Sequence, residues 1–148
     1  DKQAYTASQA ILQGLAKAIV KYQDPSSGTW YQVTDQGARE GNYLESSATA
    51  LFIYTLAKAI NKGYIGNEYI EPTQKAFDGM VKTFTRLEED GSYTITNCCA
   101  VAGLGGDSKR YRDGSFEYYI SEPIIENDPK SVGSFILAAI EYEKMTKK

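Results

Sequence analysis

Two stretches hold nearly all the side chains with chemical potential. The first, WYQVTDQGAREGNYLESS (30–47), carries the chain's only tryptophan, two tyrosines, Arg39, Glu40 and Glu45. Trp30, Tyr31 and Tyr43 are ring types that stack on sugar faces. Arg39 is the type that holds a carboxylate in bidentate fashion, and Glu40 and Glu45 can accept hydrogen bonds from hydroxyls. The second, YRDGSFEYYISEPIIENDPKSVG (111–133), brings Tyr118, Tyr119, Glu122, Asn127, Asp128 and Lys130 to the entrance of an apolar segment. Plainer readings stand beside these. A Trp with a Tyr often anchors a loop, Glu45 and Asp128 each suit a helix N-cap, and Lys130 either meets an anionic ligand group or is simply solvated. Glu40, Glu45, Glu122 and Asp128 could supply an acid/base pair, for which sequence gives no separation.

Composition removes other chemistries. There is no histidine, so Ser-His, Cys-His and zinc-histidine arrangements have no member within these 148 residues. The two cysteines, Cys98 and Cys99, are adjacent, which suits small buried thiols better than a bridge or a metal site. No cofactor or metal is expected. GLGG (103–106) lacks the spacing of a dinucleotide fingerprint and reads as tight turns. Net charge is −3 with scattered basic residues, against a nucleic-acid partner. No apolar run reaches the roughly 20 residues that span a bilayer. DKQAYTASQ (1–9) resembles no signal peptide, and cytoplasmic and periplasmic settings both stay open.

The elements that must position these groups are helical. Apolar residues at Ala4, Ile11, Leu12, Leu15, Ile19 and Tyr22 predict an amphipathic helix over about 2–22, stopped near Asp24-Pro25. From Ser46 to Asn61 apolar residues surround the whole cylinder, the pattern of a helix buried on all sides. A striped helix returns over 71–85, with Ala76, Phe77, Met80, Val81 and Phe84 inward. A second nearly all-apolar helix follows over 129–144, opened by Asp128 and Pro129. SFEYYIS (115–121) has strand-like composition and is expected to pair briefly with SYTIT (92–96). YQDPSSGTWY (22–31) and RLEEDGSYTI (86–95) echo one another after the two striped helices.

Striped, apolar, striped, apolar is not the signature of a simple four-helix bundle, in which each helix shows a similar stripe. It fits an all-α architecture in two layers, an α/α toroid with alternating outer and inner helices. Two hairpins cannot close a ring, so residues 1–148 are expected to be one portion of a larger barrel domain. The remainder of that barrel, or further copies of this chain, would complete it. Inner helices of a toroid run the same way, and the two equipped connections both lead into inner-helix N-termini. They are therefore expected to share one face. Connections of roughly 20 and 30 residues exceed the usual limit of about 12–15 and tend to be functional.

The strings REGNYLE (39–45), CCAVAGLGG (98–106) and DGSFEYY…NDPKSVGSF (113–135) resemble the C-terminal part of family-105 glycoside hydrolases, the unsaturated rhamnogalacturonyl hydrolases. Unsaturated glucuronyl hydrolases are a more distant match. The resemblance runs over nearly the whole chain and implies an (α/α)6 barrel, here represented by its C-terminal portion. It implies a bacterial pectin-degrading activity on unsaturated galacturonyl or glucuronyl oligosaccharides left by a polysaccharide lyase. In that reaction an acid protonates the C4–C5 enol ether, water adds at C5 and the hemiketal collapses. The family's catalytic aspartate, supporting histidine and Trp-Arg-Gly cluster have no counterpart here, so no catalytic acid is assigned. Trp30, Arg39, Glu45, Tyr119, Asn127, Asp128 and Lys130 are the expected cleft-lining or substrate-positioning residues. The alternative is a helical module, possibly self-assembling, that binds oligosaccharide or protein without chemistry.

Overall fold

Asp1 accepts the Gln3 amide at 2.9 Å and starts α1 (Lys2–Lys21), the first helix of a computed structural model that describes residues 1–37, 39–106 and 111–147. Two residues after the capping Tyr22, the Asp24 carboxylate collects the hydroxyls of Ser26 and Ser27 and the Ser27 amide, a self-bonded turn that cannot continue a helix. The chain then builds α2 (Ser46–Asn61), a 3-10 turn at Asn67–Tyr69, α3 (Ile70–Phe84), α4 (Phe116–Ser121) and α5 (Pro129–Thr146). Two small antiparallel ladders join them: β1 (Thr85–Leu87) with β2 (Tyr93–Ile95), and β3 (Cys98–Cys99) with β4 (Ile124–Ile125). No helix among the described residues is long and apolar enough to cross a membrane.

The alternation of striped and apolar helices becomes an alternation of layers. The hydroxyls of Ser46 and Ser131, each in the first turn of its helix, meet at 2.8 Å, so α2 and α5 begin together. Toward their far ends the Asn61 side chain donates to the Glu141 carbonyl at 2.9 Å, so they run parallel. Between them in sequence, α3 returns: the Phe84 carbonyl at its end accepts the Thr96 amide, one residue before Asn97 receives the Ser46 amide. Parallel inner helices joined by outer returning ones make this an all-α fold of the α/α-toroid kind.

Between the layers lie Trp30, Ile53, Leu56, Met80 and Phe84, all fully buried, with Ala16, Ala50, Ala76 and Ala138 where helices approach most closely. Phe77 of α3 stacks on Tyr142 of α5 with centroids 3.9 Å apart. Gly79 cannot be replaced without movement: a Cβ there would stand 1.9 Å from the Ser27 carbonyl oxygen, so the Asp24 turn sits directly on α3. Periodicity also places Ile11, Leu15 and Val81 inward, yet these are exposed, Ile11 by 73 %. Leu51, Ile136, Leu137 and Ile140 of the inner helices are open too.

Two local expectations are corrected. Residues 116–121 form helix α4 rather than a strand, because the Ser115 hydroxyl caps the Tyr118 amide at 3.1 Å and local capping outweighs strand propensity. The partner of β2 is β1, next to it in sequence, brought round by a turn in which Gly91 takes φ +84° and the Asp90 side chain accepts the Ser92 amide. The echo between the two post-helix connections is therefore one of place. The second forms a hairpin, whereas the first holds only an isolated bridge between Tyr31 and Leu44.

Candidate functional site

The inner helices open at a common mouth, and a short strip of chain holds both entrances. Residues 95–100 run antiparallel to 123–127. The Ile95 carbonyl accepts the Asn127 amide, Cys98 pairs with Ile125, Cys99 pairs with Ile124, and the Ala100 amide reaches the Pro123 carbonyl at 2.8 Å. On one side the strip grips α2 through Glu45, which is 1 % exposed. One Glu45 carboxylate oxygen takes the Ala48 amide at 2.6 Å, and the other takes the Cys99 amide at 3.0 Å and the Ser47 hydroxyl at 2.9 Å. The cap of α2 is thus also a tie to β3.

On the other side the strip feeds α5. Asn127 adopts φ +51°, a left-handed conformation that Asn tolerates better than most residues. Its side chain accepts the Ile95 amide at 2.9 Å and donates to the Thr94 hydroxyl. Asp128 caps α5 on the Lys130 amide at 2.8 Å and also holds the Lys130 ammonium at 2.6 Å, which donates again to the Ala100 carbonyl at 3.0 Å. Lys130 is exposed, yet two contacts fix its head, to Asp128 and to the Ala100 carbonyl, beside the place where two helix N-termini converge. The two N-termini are already met by the Glu45 and Asp128 carboxylates, so of these groups it is the Lys130 ammonium that can draw a further anion.

The electrostatics follow from these neighbours. The Lys130 ammonium holds the Asp128 carboxyl below its ordinary value, and Asp128 in turn raises Lys130. Burial, with Glu45 nearby, pushes the Cys98 thiol up, while Lys130 pulls it the other way. Burial, together with Cys99 and Glu45, pushes the Tyr43 phenol far up. Cys98 and Cys99 are free, buried thiols. Since the folded carboxyl of Asp128 is depressed, its contribution to stability is present above the reference value of 3.8 and disappears as pH falls through the folded value. The Lys130 amide resonance should therefore titrate with a midpoint below 3.8, and Asp128→Asn should abolish that step. A midpoint at or above that value would mean the cap does not form.

The other residues singled out from sequence are placed differently. Trp30 offers no face for stacking on a ligand: it is 1 % exposed, its indole N–H donates to the Ile19 carbonyl at 2.8 Å, and its ring meets Phe52 edge-on at 5.2 Å. Arg39 lies 3.8 Å over the Phe116 ring, pairs with Glu117 and donates to Gln36 at 2.9 Å, fastening the first connection to α4. Tyr119 is half-buried beside Tyr118, with ring centroids 5.2 Å apart. Structure thus gathers Glu45, Asn127, Asp128 and Lys130 at the mouth, puts Arg39 and Tyr119 on the flanking loop and its helix, and sends Trp30 into the core. Neither Glu45 nor Asp128 is a poised free carboxylate. Sequence reasoning missed Ala100, whose carbonyl orients Lys130, and the Ser46–Ser131 hydroxyl contact. The second had a signal, a serine in the first turn of each apolar helix. Among the described residues no group of three or more His, Cys, Asp or Glu gathers as a metal site.

A model of Glycosyl Hydrolase Family 88 matches residues 1–146. The chain belongs to this family. The family-88 chain is also similar to solved structures. It is 44 % identical to a family-105 glycoside hydrolase of C. acetobutylicum, with a TM-score of 0.89 over 93 % of this chain and 38 % of that one. A possible family-105 member from Klebsiella pneumoniae is 27 % identical with a TM-score of 0.72, matched over 94 % of this chain and 31 % of its own. The 24.9 kDa protein of the picA locus of Rhizobium radiobacter is 37 % identical over 119 residues, 78 % of this chain and 51 % of that protein. The family-88 chain spans about half the length of the curated relatives it matches. The family-105 resemblance of the sequence motifs holds, and the family is one of carbohydrate hydrolases.

Proposed function

We propose that this chain forms one portion of an (α/α)6 barrel and supplies one wall of its sugar-binding cleft. The barrel would hydrate the C4–C5 double bond of unsaturated galacturonyl or glucuronyl oligosaccharides from pectin-type polysaccharide, releasing the uronic acid. The observation that carries this reading is Lys130: a cation fixed by Asp128 and Ala100 beside two helix N-termini, on a glycoside-hydrolase scaffold. Such a point suits the uronate carboxylate. Tyr119 and Arg39 would border the sugar from the flanking loop, while Glu45, Asn127 and Trp30 hold the wall from behind. The acid that protonates the enol ether would come from barrel residues outside this chain, since Glu45 and Asp128 are both committed to other partners.

An unsaturated rhamnogalacturonan disaccharide tests the proposal. The isolated chain should bind it with shifts at the Lys130 amide and leave its double-bond absorbance unchanged. Lys130→Ala should weaken binding by about 10- to 100-fold, the loss of one charged hydrogen bond. Turnover by the isolated chain would place the acid among these residues and defeat the assignment. Binding without turnover after the rest of the barrel is supplied would leave a non-catalytic carbohydrate module.

A further inference from the structure

The two long connections also meet away from the strip, and the contact fixes a turn on the rim. Gly41 takes φ +84°, and a Cβ there would stand 2.8 Å from Ile120 Cδ1, so the first connection lies directly against α4. Arg39 adds its contacts with Phe116 and Glu117. Docked in this way, α4 offers the Tyr118 hydroxyl to the Gly103 amide, which donates to it at 3.1 Å. Burial and hydrogen bonding with Glu122 push the Tyr118 phenol up, so near neutral pH it is an uncharged hydroxyl. Two residues on, Gly105 at φ +75° exchanges both backbone hydrogen bonds with Arg112, at 2.8 and 2.9 Å. Leu104 stands between these two fastenings. Its side chain is 74 % exposed, and its Cδ2 occupies space that only a glycine leaves open, since a Cβ on Gly114 would stand 2.6 Å from it. Exposure alone means little for a leucine. Here the backbone is pinned on both sides, which holds an apolar edge ready in advance of any contact. The turn is also close to Lys130. It leaves the strip at Ala100, whose carbonyl takes the Lys130 ammonium, and three residues reach no further than about 11 Å to Gly103.

We propose that Leu104 is a specificity-determining residue, whose side chain takes the apolar C–H edge of the sugar joined to the uronate. Tyr118 is its positioning residue and acts through the Gly103 amide. The inference deepens the reading of Lys130 as the uronate point and rests on it. Charge cannot tell one neighbouring sugar from another, because the carboxylate is common to all such substrates. Discrimination then falls to the part of the rim that the next ring meets. A leucine favours a sugar that presents C–H groups there over one that presents a hydroxyl, since the hydroxyl would lose water and gain no hydrogen-bond partner. The Tyr118 hydroxyl touches no sugar in this scheme. Removing it frees the Gly103 amide, loosens one of the two fastenings of Leu104, and blurs the choice without altering the charge at Lys130.

The test is titration of the chain with two probes, an unsaturated rhamnogalacturonan disaccharide and galacturonic acid, read as the ratio of their affinities. The native chain should prefer the disaccharide. Leu104→Ser should lower the ratio about three- to tenfold, the worth of one or two apolar carbon contacts, and Leu104→Met should restore most of it. Tyr118→Phe keeps the ring and should lower the ratio by a similar factor, while hydrogen exchange at the Gly103 amide accelerates. A ratio unchanged in Leu104→Ser overturns the assignment of Leu104. Equal weakening of both probes in Tyr118→Phe would make that hydroxyl merely structural and overturn its positioning role, as would a ratio that holds although Gly103 exchanges faster. Lys130→Ala separates this inference from the reading beneath it. It should weaken both probes and leave their ratio nearly intact. Probes that bind Lys130→Ala as well as the native chain overturn the uronate point, and with it the placing of Leu104. A ratio that fails in Leu104→Ser while Lys130→Ala behaves as expected overturns Leu104 alone.

Discussion

Trp30→Ala should lower the unfolding free energy of this chain by about 3–5 kcal/mol, among the largest losses a single core truncation causes. The residue joins α1 to α2 and its cap. Its indole donates to α1 at the Ile19 carbonyl and its ring packs on Phe52 of α2. Its backbone amide donates to the Thr49 hydroxyl, while its carbonyl accepts the Glu45 amide. Trp30→Phe keeps most of the ring volume but leaves the Ile19 carbonyl without its indole donor, and should cost about 1–3 kcal/mol. Denaturant unfolding followed by far-ultraviolet circular dichroism measures both, and in the native chain the lone tryptophan adds an independent fluorescence probe of the same region. A sugar-stacking platform would behave in the opposite way. Truncation would then leave stability almost intact and weaken only ligand binding, so near-native stability in Trp30→Ala would return this residue to the cleft.

Glu45→Ala is the second large effect, expected at about 3 kcal/mol. Loss of an N-cap alone costs about 1 kcal/mol. Here the same carboxylate also satisfies the Cys99 amide, and a buried donor left without an acceptor adds about 1–3 kcal/mol. Glu45→Gln keeps the size but turns one oxygen into a donor facing N–H or O–H groups, so it should recover only part of the loss. Hydrogen exchange at Cys99 provides the specific readout. If the carboxylate ties β3 to α2, that amide exchanges far faster in Glu45→Ala. Unchanged protection at Cys99 would reduce Glu45 to an ordinary cap. The Trp30 and Glu45 effects should not add, because the Trp30 carbonyl accepts the Glu45 amide and each substitution loosens the other's support.

These two residues also show where sequence reasoning works and where it stops. The alternation of helices is legible because a 3.6-residue period reports how many sides of a cylinder avoid water, and the all-apolar runs at 46–61 and 129–144 do become the inner pair. Asp128 followed by Pro129 is legible because capping and first-turn proline are local chemistry. Period cannot say whether an apolar side finds its neighbour within the same chain: Leu12 and Leu15 read alike, but only the first touches the core. Residue type cannot say whether a tryptophan stacks on a ligand or fills a core, since that depends on Ile19 and Phe52 approaching from elsewhere. Arg39 reads as a carboxylate clamp from sequence and does clamp a carboxylate, that of Glu117. The mouth itself depends on strands of two residues, below the length at which alternation carries a signal.

The strip behind that mouth has a consequence for divergence. Where the Ala100 amide meets the Pro123 carbonyl, the chain leaves the strip and rejoins it at a single point. The described residues between are held at that clasped stem and, through α4, by the Arg39 contacts to Phe116 and Glu117. Insertions or deletions there that spare α4 would leave the strip's hold on the starts of α2 and α5 in place. Evolution can therefore rewrite the rim that a bound sugar would meet while leaving the Lys130 end of the wall untouched. Relatives that differ in their preferred neighbouring sugar should concentrate their length differences between these two positions.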